Sequence, residues 1–345
     1  MAEAVARTLG PLAEARLVAA MWQARRLRRR RDWDASAERQ RASLAGIAAE
    51  LGCGAIAGCA PVRHATGGFF SGVAETEAGP RFVKGVLTGG REARFWAAWE
   101  RGAIRAQGEH YRLLPPERIV RGRVATVLAF PFLPDLATRR EDRRRAFREH
   151  ALASARALAS FNASHRDPVP GLCDAAVGRP PRPPSARLLE QRLQVEPALA
   201  EELAAEARAV EAARRPVRDA VEAGPRCLGH MDLGIGNVVF GDGPALLLDF
   251  GHAGAAPVGA DLHAVLRGLE GAGPGPDALA DAYAAAFRSA GGAIEPETVR
   301  RAFEAYYAAR YRNLGYFTAR HAGSYRKALR VSRRLIAAAG SDGGG

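Results

Sequence analysis

Lysine is nearly absent from this chain: it occurs only at positions 84 and 327, and every other basic residue is arginine or histidine. The chain also lacks any apolar run of about 18 residues, the length that a membrane-spanning helix requires. Residues 1–20 do not contain the apolar core of a secretion signal. We therefore expect no membrane partner, and we predict a cytoplasmic protein.

Cysteine is scarce, and the cysteines present are not spaced as in known metal-binding or redox motifs. The four cysteines, at positions 53, 59, 173 and 227, form no C-x-x-C pair, which excludes the common zinc and dithiol motifs. Scattered thiols are typical of a reducing compartment. The chain also lacks G-x-x-x-x-G-K-[ST], so a P-loop nucleotide site is excluded.

Positive charge is in excess, with a formal net charge of +13. The clearest basic cluster, residues 25–31, stands alone, without the interleaved aromatics or zinc-finger spacing of nucleic-acid binders. We do not expect nucleic acid as a partner. A basic nucleic-acid-associated protein stays an alternative, which salt-sensitive binding to duplex DNA would support.

Differences in amino-acid composition and pattern divide the 345 residues into three predicted parts. Residues 1–50 are rich in Ala, Leu, Arg and Glu and predict a helical extension. Residues 51–128 contain short β-rich runs bounded by Gly and Pro, which predict an antiparallel sheet with one helix. Residues 129–345 are mainly helical. The whole predicts an α+β fold of two packed units with an N-terminal helical segment.

Several elements within these parts are predicted from local patterns. A strand hairpin is expected over 69–87 and a helix over 91–99. One long Ala-rich helix is expected over 143–164. Two apolar runs flank the turn at 241–244, which predicts a second hairpin inside the helical part.

That second hairpin lies between two motifs. The first is H-x-D-x-x-x-x-N at 230–237, and the second is L-D-F-G at 248–251. Together and in this order they resemble the catalytic loop and metal loop of the kinase fold. Phosphoryl transfer depends on positioning and charge neutralisation. Asp232 is therefore expected to orient an acceptor hydroxyl, and Asp249 and Asn237 are expected to offer oxygen ligands to Mg²⁺.

The scarcity of lysine draws attention to Lys84, which falls in the second strand of the first hairpin. Kinases place a phosphate-binding lysine on such a strand. Glu92 begins the next helix, on the same face as Phe95 and Trp96, and a carboxylate on a buried face needs a partner. We predict a Lys84–Glu92 pair, with Glu100 as the second candidate.

Two further segments are candidates for contact with a nucleotide. Gly67 and Gly68 lie in a glycine-rich turn whose amides could cover phosphates, although the turn does not match G-x-G-x-x-G. The strand at 124–128 leads into a predicted hinge between the two parts. Backbone groups of Ala129 and Phe132 in that hinge are candidate adenine contacts.

The segments 229–237, 248–254 and 256–262 together resemble the aminoglycoside phosphotransferase/choline kinase family. The resemblance implies a bilobal protein-kinase-like fold, with residues 51–128 as the ATP-binding N-lobe and 129–345 as the C-lobe. It implies ATP and Mg²⁺ as cofactors and a small-molecule hydroxyl as acceptor. It also implies these roles: Asp232 as catalytic base, Asn237 and Asp249 as metal ligands, Lys84 as the phosphate-binding lysine with Glu92, and His230 and Asp261 as supports of the catalytic loop.

The sequence departs from the family pattern at four positions: Met231 and Ala256 replace glycines, Gly234 replaces a common histidine, and His252 replaces a frequent acidic residue. The empty space at Gly234 is interpreted as room for a bulky acceptor. Protein kinases are a weaker match, because they carry a lysine where this chain has Gly234 and a long activation segment after the metal loop. A catalytically inactive nucleotide-binding protein of the same fold is a further alternative.

The acceptor and the oligomeric state are left open by the sequence. Three helical segments, 261–267, 281–287 and 304–316, are candidate walls of the acceptor pocket. The last contains a tyrosine cluster, for which core packing is favoured over stacking against a sugar or quaternary amine; its members are Tyr306, Tyr307, Tyr311 and Tyr316.

Overall fold

A computed structural model describes residues 5–29, 33–52, 55–61, 70–134, 140–167, 169–172, 183–269, 271–319 and 321–340. Six strands form the main sheet: β1 Val5–Thr8, β2 Ile56–Pro61, β3 Phe70–Thr76, β4 Gly79–Leu87, β6 Arg118–Arg121 and β7 Ala125–Pro131. Their spatial order is β1-β6-β7-β4-β3-β2. The predicted hairpin is confirmed as β3–β4, in which Ser71 pairs with Lys84.

The N-terminal segment contributes a strand to this sheet. Residues 1–50 were expected to be helical, yet Val5–Thr8 pairs in parallel with β6, with Val5 opposite Arg118. All other neighbours in the sheet are antiparallel. β1 therefore covers the backbone groups of an edge strand that would otherwise be open to pairing.

Three helices follow β1, namely α1 Pro11–Arg29, α2 Trp33–Ala45 and α3 Ala48–Leu51. Leu17, Met21 and Leu44 are buried together with Val83 of β4, so the helices cover one face of the sheet. Glu14 adds a polar anchor: its Oε1 accepts hydrogen bonds from the backbone N–H groups at 124 and 125, at 2.5 and 3.3 Å. Those bonds lower the pKa of Glu14. The N-terminal helices are thus part of the same core as the sheet.

The helix α4, Arg91–Glu100, packs beneath the sheet as its apolar spacing predicts. Phe95 and Trp96 are fully buried, and Phe95 stacks on Phe250 with ring centroids 4.0 Å apart. Phe250 belongs to the L-D-F-G motif. This contact packs the sheet part of the chain directly against the motif of the helical part.

Within the described residues, the helical part holds eight helices and takes part in two small sheets, one of which includes a strand from residues 51–128. One sheet joins β5 Tyr111–Leu113, β10 Ala245–Leu247 and β9 Val238–Val239, and the other joins β8 Arg226–Gly229 and β11 Gly254–Pro257. The helices are α5 Arg140–Glu149, α6 Ala151–Ser164, α7 Ala186–Leu193, α8 Pro197–Glu222, α9 Leu262–Leu269, α10 Pro276–Ser289, α11 Pro296–Thr318 and α12 Ala322–Gly340.

One prediction for this part was wrong and one was confirmed. The helix expected over 143–164 is two helices, because His150 between α5 and α6 adopts φ −104° and ψ 22°, outside the helical region. The second hairpin is present as β9–β10. Across the described ranges, none of the helices combines the length and the apolar character needed to cross a bilayer.

Candidate active site

The β9–β10 hairpin brings the two sequence motifs to one end of the helical part. Val238 pairs with Leu247, and one step further the backbone N–H of Leu248 donates to the carbonyl of Asn237 at 2.9 Å. Asn237 therefore lies level with the residue that precedes Asp249. Both predicted metal ligands sit at the same edge of the hairpin.

Lys84 joins the sheet to this edge. Its side chain is 6% exposed, and its Nζ lies 2.6 Å from Glu92 Oε2 and 2.8 Å from Asp249 Oδ1. The predicted Lys84–Glu92 pair is therefore formed. Glu100, the second candidate, instead accepts hydrogen bonds from Arg121 of β6. One buried ammonium is shared by a carboxylate of α4 and a carboxylate of the L-D-F-G motif.

The shared ammonium sets the charge states of its partners. Burial alone would lower the pKa of Lys84, but Glu92 and Asp249 outweigh it and raise that pKa. Burial raises the pKa of Glu92 to about 7, with Lys84 opposing this shift. For Asp249 burial acts upward, yet the Lys84 ammonium and the Gly251 N–H together lower its pKa. Asp249 is thus held ionised, as a cation ligand must be.

Asp249 combines exposure with a strained backbone. Its side chain is 45% exposed, in contrast to the buried Lys84 and Glu92. Its φ is +58°, in the left-handed region that non-glycine residues rarely adopt. Such conformations cluster at functional sites. The conformation here leaves the carboxylate between Lys84 and open solvent.

Asp232 lies in the loop between β8 and β9 and is 20% exposed. Its Oδ1 accepts a hydrogen bond from Arg267 Nη2 at 2.9 Å. Its Oδ2 lies 3.5 Å from Asn237 Nδ2 and 4.0 Å from His252 Nε2. The amide nitrogen of Asn237 also donates to the Asp232 carbonyl at 2.8 Å, which leaves Asn237 Oδ1 as the atom suited to a metal.

His230 and Asp261 hold the backbone of this loop. His230 Nε2 donates to the Leu248 carbonyl at 2.8 Å, and its Nδ1 accepts from the Asp232 N–H at 3.3 Å. This pattern requires the neutral ring, and burial lowers the pKa of His230 accordingly. Asp261 Oδ2 accepts from the His230 N–H at 3.2 Å. Both residues contact the loop from its buried side.

Comparisons with known proteins agree with this arrangement. Residues 93–306, more than half of the chain, match the model of the phosphotransferase enzyme family. The chain belongs to this family. No curated protein matches the chain.

Solved structures of low identity are similar to this phosphotransferase over most of its length. A microcompartment-associated aminopropanol kinase is 15% identical, with a TM-score of 0.50, and the match covers 81% of this chain and 90% of that one. An AMP-bound spectinomycin phosphotransferase is 13% identical, with a TM-score of 0.47 and coverage of 89% and 99%. An ethanolamine kinase from Plasmodium vivax is 12% identical, with a TM-score of 0.47 and coverage of 81% and 80%. The predicted protein-kinase-like α+β fold is confirmed.

Asn162 is a residue of the phosphotransferase site that the sequence did not predict. Its Nδ2 donates to Asp261 Oδ2 at 3.2 Å and to the Leu228 carbonyl at 2.8 Å. Its Oδ1 accepts from the hydroxyl of Tyr283, which in turn accepts from the Gly259 N–H at 3.1 Å. An asparagine on the buried face of the Ala-rich α6 was the available signal, since buried amides need partners.

Met231 shows how the phosphotransferase accommodates a departure from the family pattern. Its φ is +65°, so a residue with a side chain occupies a conformation that favours glycine. The side chain is fully buried against Ala256 and Tyr306. A Cβ added at Gly229 would lie 2.9 Å from the Met231 sulfur, so that glycine provides the space. Packing in this pocket offsets the backbone strain.

The structure describes the side chains of only part of the tyrosine cluster. Tyr306 is 5% exposed, packs in this same pocket and donates its hydroxyl proton to Glu222. Core packing is therefore the role of Tyr306. The side chains of Tyr311 and Tyr316 lie outside the described residues.

The predicted nucleotide contacts lie in two segments, the glycine-rich turn and the hinge. Gly67 and Gly68 lie outside the described residues. The predicted hinge begins too early, because β7 extends to Pro131 and the Ala129 carbonyl accepts from the Glu117 N–H at 2.8 Å. Ala129 therefore belongs to the sheet, and its carbonyl already accepts one hydrogen bond there. Phe132, the first residue after β7, is partly buried and stays a candidate.

The Arg267 guanidinium borders the space predicted at Gly234. A Cβ added there would lie 3.5 Å from Arg267 Nη2, an ordinary van der Waals contact, so room for a bulky acceptor stays a prediction. Arg267 was expected only as part of a pocket wall. Its contact with Asp232 spans 35 positions of sequence, which no local pattern predicts.

Proposed function

We propose that this phosphotransferase moves the γ-phosphoryl group of ATP to a hydroxyl of a small molecule, in a Mg²⁺-dependent reaction. The main support is the contact of Lys84 with both Glu92 and Asp249 at 2.6 and 2.8 Å. It links a sheet lysine suited to phosphates with a carboxylate suited to a metal. We also propose residues 51–128 and 129–345 as the two lobes, with the first extended by β1 and α1–α3.

The residues present fit a magnesium ion. Asp249 and Asn237 supply hard oxygen donors, which Mg²⁺ prefers, and Mg²⁺ commonly takes few protein ligands besides water and phosphate oxygens. The described part of the chain contains no group of three or more His, Cys, Asp or Glu side chains that could hold a metal, so a denser metal cage is not offered there. When bound, Mg²⁺ neutralises negative charge on the phosphates.

Asp232 is proposed to act on the acceptor. Its Oδ2 accepts the proton of the acceptor hydroxyl as the acceptor oxygen forms a bond to the γ-phosphorus. The bond between that phosphorus and the bridging oxygen of ADP breaks, and ADP leaves with the bonding pair. Lys84, freed from one carboxylate by the incoming nucleotide, donates to phosphate oxygens and stabilises their charge.

The experiment is an acceptor panel read by ADP release. Aminoglycosides, amino alcohols and sugars are each supplied with ATP and Mg²⁺, and the same panel is run with Asp232→Asn. We expect at least one compound to stimulate release by the wild type. The variant should lose release by about 1000-fold or more and still bind ATP.

Two outcomes would change the proposal. Binding of ATP without release for any compound would favour the alternative of a non-catalytic nucleotide-binding protein. Equal release by the wild type and Asp232→Asn would remove Asp232 from the mechanism, and the proposed chemistry would need another base.

A further inference from the structure

A cation reaches the candidate catalytic carboxylate from a distant helix. Arg267 lies in the last turn of α9, and its Nη2 is 2.9 Å from Asp232 Oδ1. The two side chains are 26% and 20% exposed, so solvent reaches the pair. Nothing in the proposed chemistry assigns this arginine a role.

The position of Arg267 is determined by both ends of α9. At the start of the helix Asp261 bonds the N–H of His230, and so holds the backbone of the catalytic loop. Near its end Gly268 packs so closely on Phe147 that an added Cβ would lie 2.6 Å from the ring. The helix is buried along Leu262–Val265. The two ends of α9 therefore hold the catalytic loop at two points. Asp261 binds the loop backbone at His230, and Arg267 binds the Asp232 carboxylate.

The loop itself leaves room for this contact. Gly234 is two residues beyond Asp232, and a Cβ there would lie 3.5 Å from Arg267 Nη2. That distance is an ordinary van der Waals contact, so the glycine adjoins the guanidinium although the two residues come from different elements.

The contact acts on one carboxylate oxygen of Asp232 and does not involve the other. Arg267 binds Oδ1, while Oδ2 lies 3.5 Å from Asn237 Nδ2 and 4.0 Å from His252 Nε2. The terminal torsion of an aspartate is broad, so a free carboxylate samples many orientations. A planar guanidinium with fixed donor directions restricts that torsion. Reaction rates are sensitive to such orientation.

We propose that Arg267 is a positioning residue for phosphoryl transfer: by holding Asp232 Oδ1 it directs Oδ2 toward the acceptor hydroxyl. This inference rests on the proposed function. It differs from a purely structural role, because a partly exposed ion pair contributes little to folding. Loss of Arg267 should therefore change the turnover rate far more than the melting temperature.

The test compares Arg267→Ala and Arg267→Lys with a matched control, Arg300→Ala. Arg300 is 23% exposed and its Nη2 lies 2.9 Å from Glu297, which makes it a comparable ion pair outside the site. ADP release from MgATP is measured with the most active compound of the acceptor panel, or with water as acceptor if none is active. Melting temperatures and ATP affinities are measured in parallel.

We expect Arg267→Ala to lower kcat about 10- to 100-fold with the KM for ATP within about twofold of the wild type. Arg267→Lys should recover part of that loss. Guanidinium chloride at low, non-denaturing concentration should raise the rate of Arg267→Ala, and sodium chloride at the same concentration should not. Arg300→Ala should keep the wild-type rate.

Several results would overturn the inference. They are wild-type kcat in Arg267→Ala, an equal loss in Arg300→Ala, or a change confined to the KM for ATP. If Arg267→Ala fails to fold, Arg267→Gln tests the same contact, because it keeps much of the side-chain length but removes the charge; wild-type kcat in that variant would overturn the inference. Loss of turnover in Asp232→Asn but not in Arg267→Ala would refute this inference alone, whereas no turnover by the wild type would refute the proposed function as well.

Discussion

Replacing Glu92 by glutamine tests whether the negative charge of Glu92, and not only its size, is needed beside Lys84. Glutamine keeps the length of the side chain and one oxygen acceptor for Lys84, but it removes the negative charge. Lys84 keeps Asp249 at 2.8 Å as its remaining carboxylate. The substitution therefore shifts the ammonium toward Asp249 instead of leaving it without an anion.

The expected magnitudes follow from this second partner. Removing one member of a buried pair costs about 3–5 kcal/mol when the other charge is left alone. Here Asp249 remains and burial already raises the pKa of Glu92 to about 7, so we expect the free energy of unfolding to fall by only about 1–2 kcal/mol. Nucleotide binding should suffer more, by about 10- to 100-fold in Kd, because Lys84 must leave its only carboxylate to reach phosphate.

The assay is calorimetric titration with MgATP, alongside chemical unfolding. The matched control is Glu100→Gln on the same helix, whose carboxylate pairs with Arg121 and not with Lys84. Glu100→Gln should bind ATP within about twofold of the wild type. Wild-type affinity in Glu92→Gln, or an equal loss in Glu100→Gln, would refute this reasoning.

Three further predictions concern stability, each measured by chemical unfolding. Burial raises the pKa of Asp261 from 3.8 to about 6, so its contribution is greatest below pH 4 and is lost as the pH rises through 6. The wild type should lose about 3 kcal/mol over that range relative to Asp261→Asn. Met231→Gly relieves about 1 kcal/mol of backbone strain but deletes a buried side chain worth about 2–4 kcal/mol, so a net loss is expected. Glu14→Ala should cost about 2–3 kcal/mol, because two backbone N–H groups lose a charged acceptor; wild-type stability there would show that the N-terminal helices are not anchored by Glu14.

The parts of the site that the sequence predicted depend on local spacing. The hairpin between the motifs is short, so two apolar runs and the turn between them were enough to place Asn237 beside Asp249. The Lys84–Glu92 pair followed from a helical face and from the scarcity of lysine. In each case the residues are joined by adjacent elements whose packing leaves few alternatives.

The parts that were missed depend on contacts between distant segments. β1 pairs with β6 in parallel. The two strands are far apart in sequence and no tight turn connects them, so no local pattern predicts the pairing. Arg267 reaches Asp232, and Asn162 reaches Asp261, from helices whose own periodicity indicates only burial. The break at His150 was missed because strong helix formers lie on both sides of it, Arg and Glu in α5 and Ala in α6. Tertiary packing, not local preference, determined these features.

The central claim is tested most directly by a crystal structure of the chain with Mg²⁺ and a non-hydrolysable ATP analogue. We predict the cation bound by Asp249 and by Asn237 Oδ1 at about 2.1 Å, with Lys84 donating to phosphate and Asp232 facing the γ-phosphate. A metal held by other residues, or phosphates bound away from Lys84, would contradict the account.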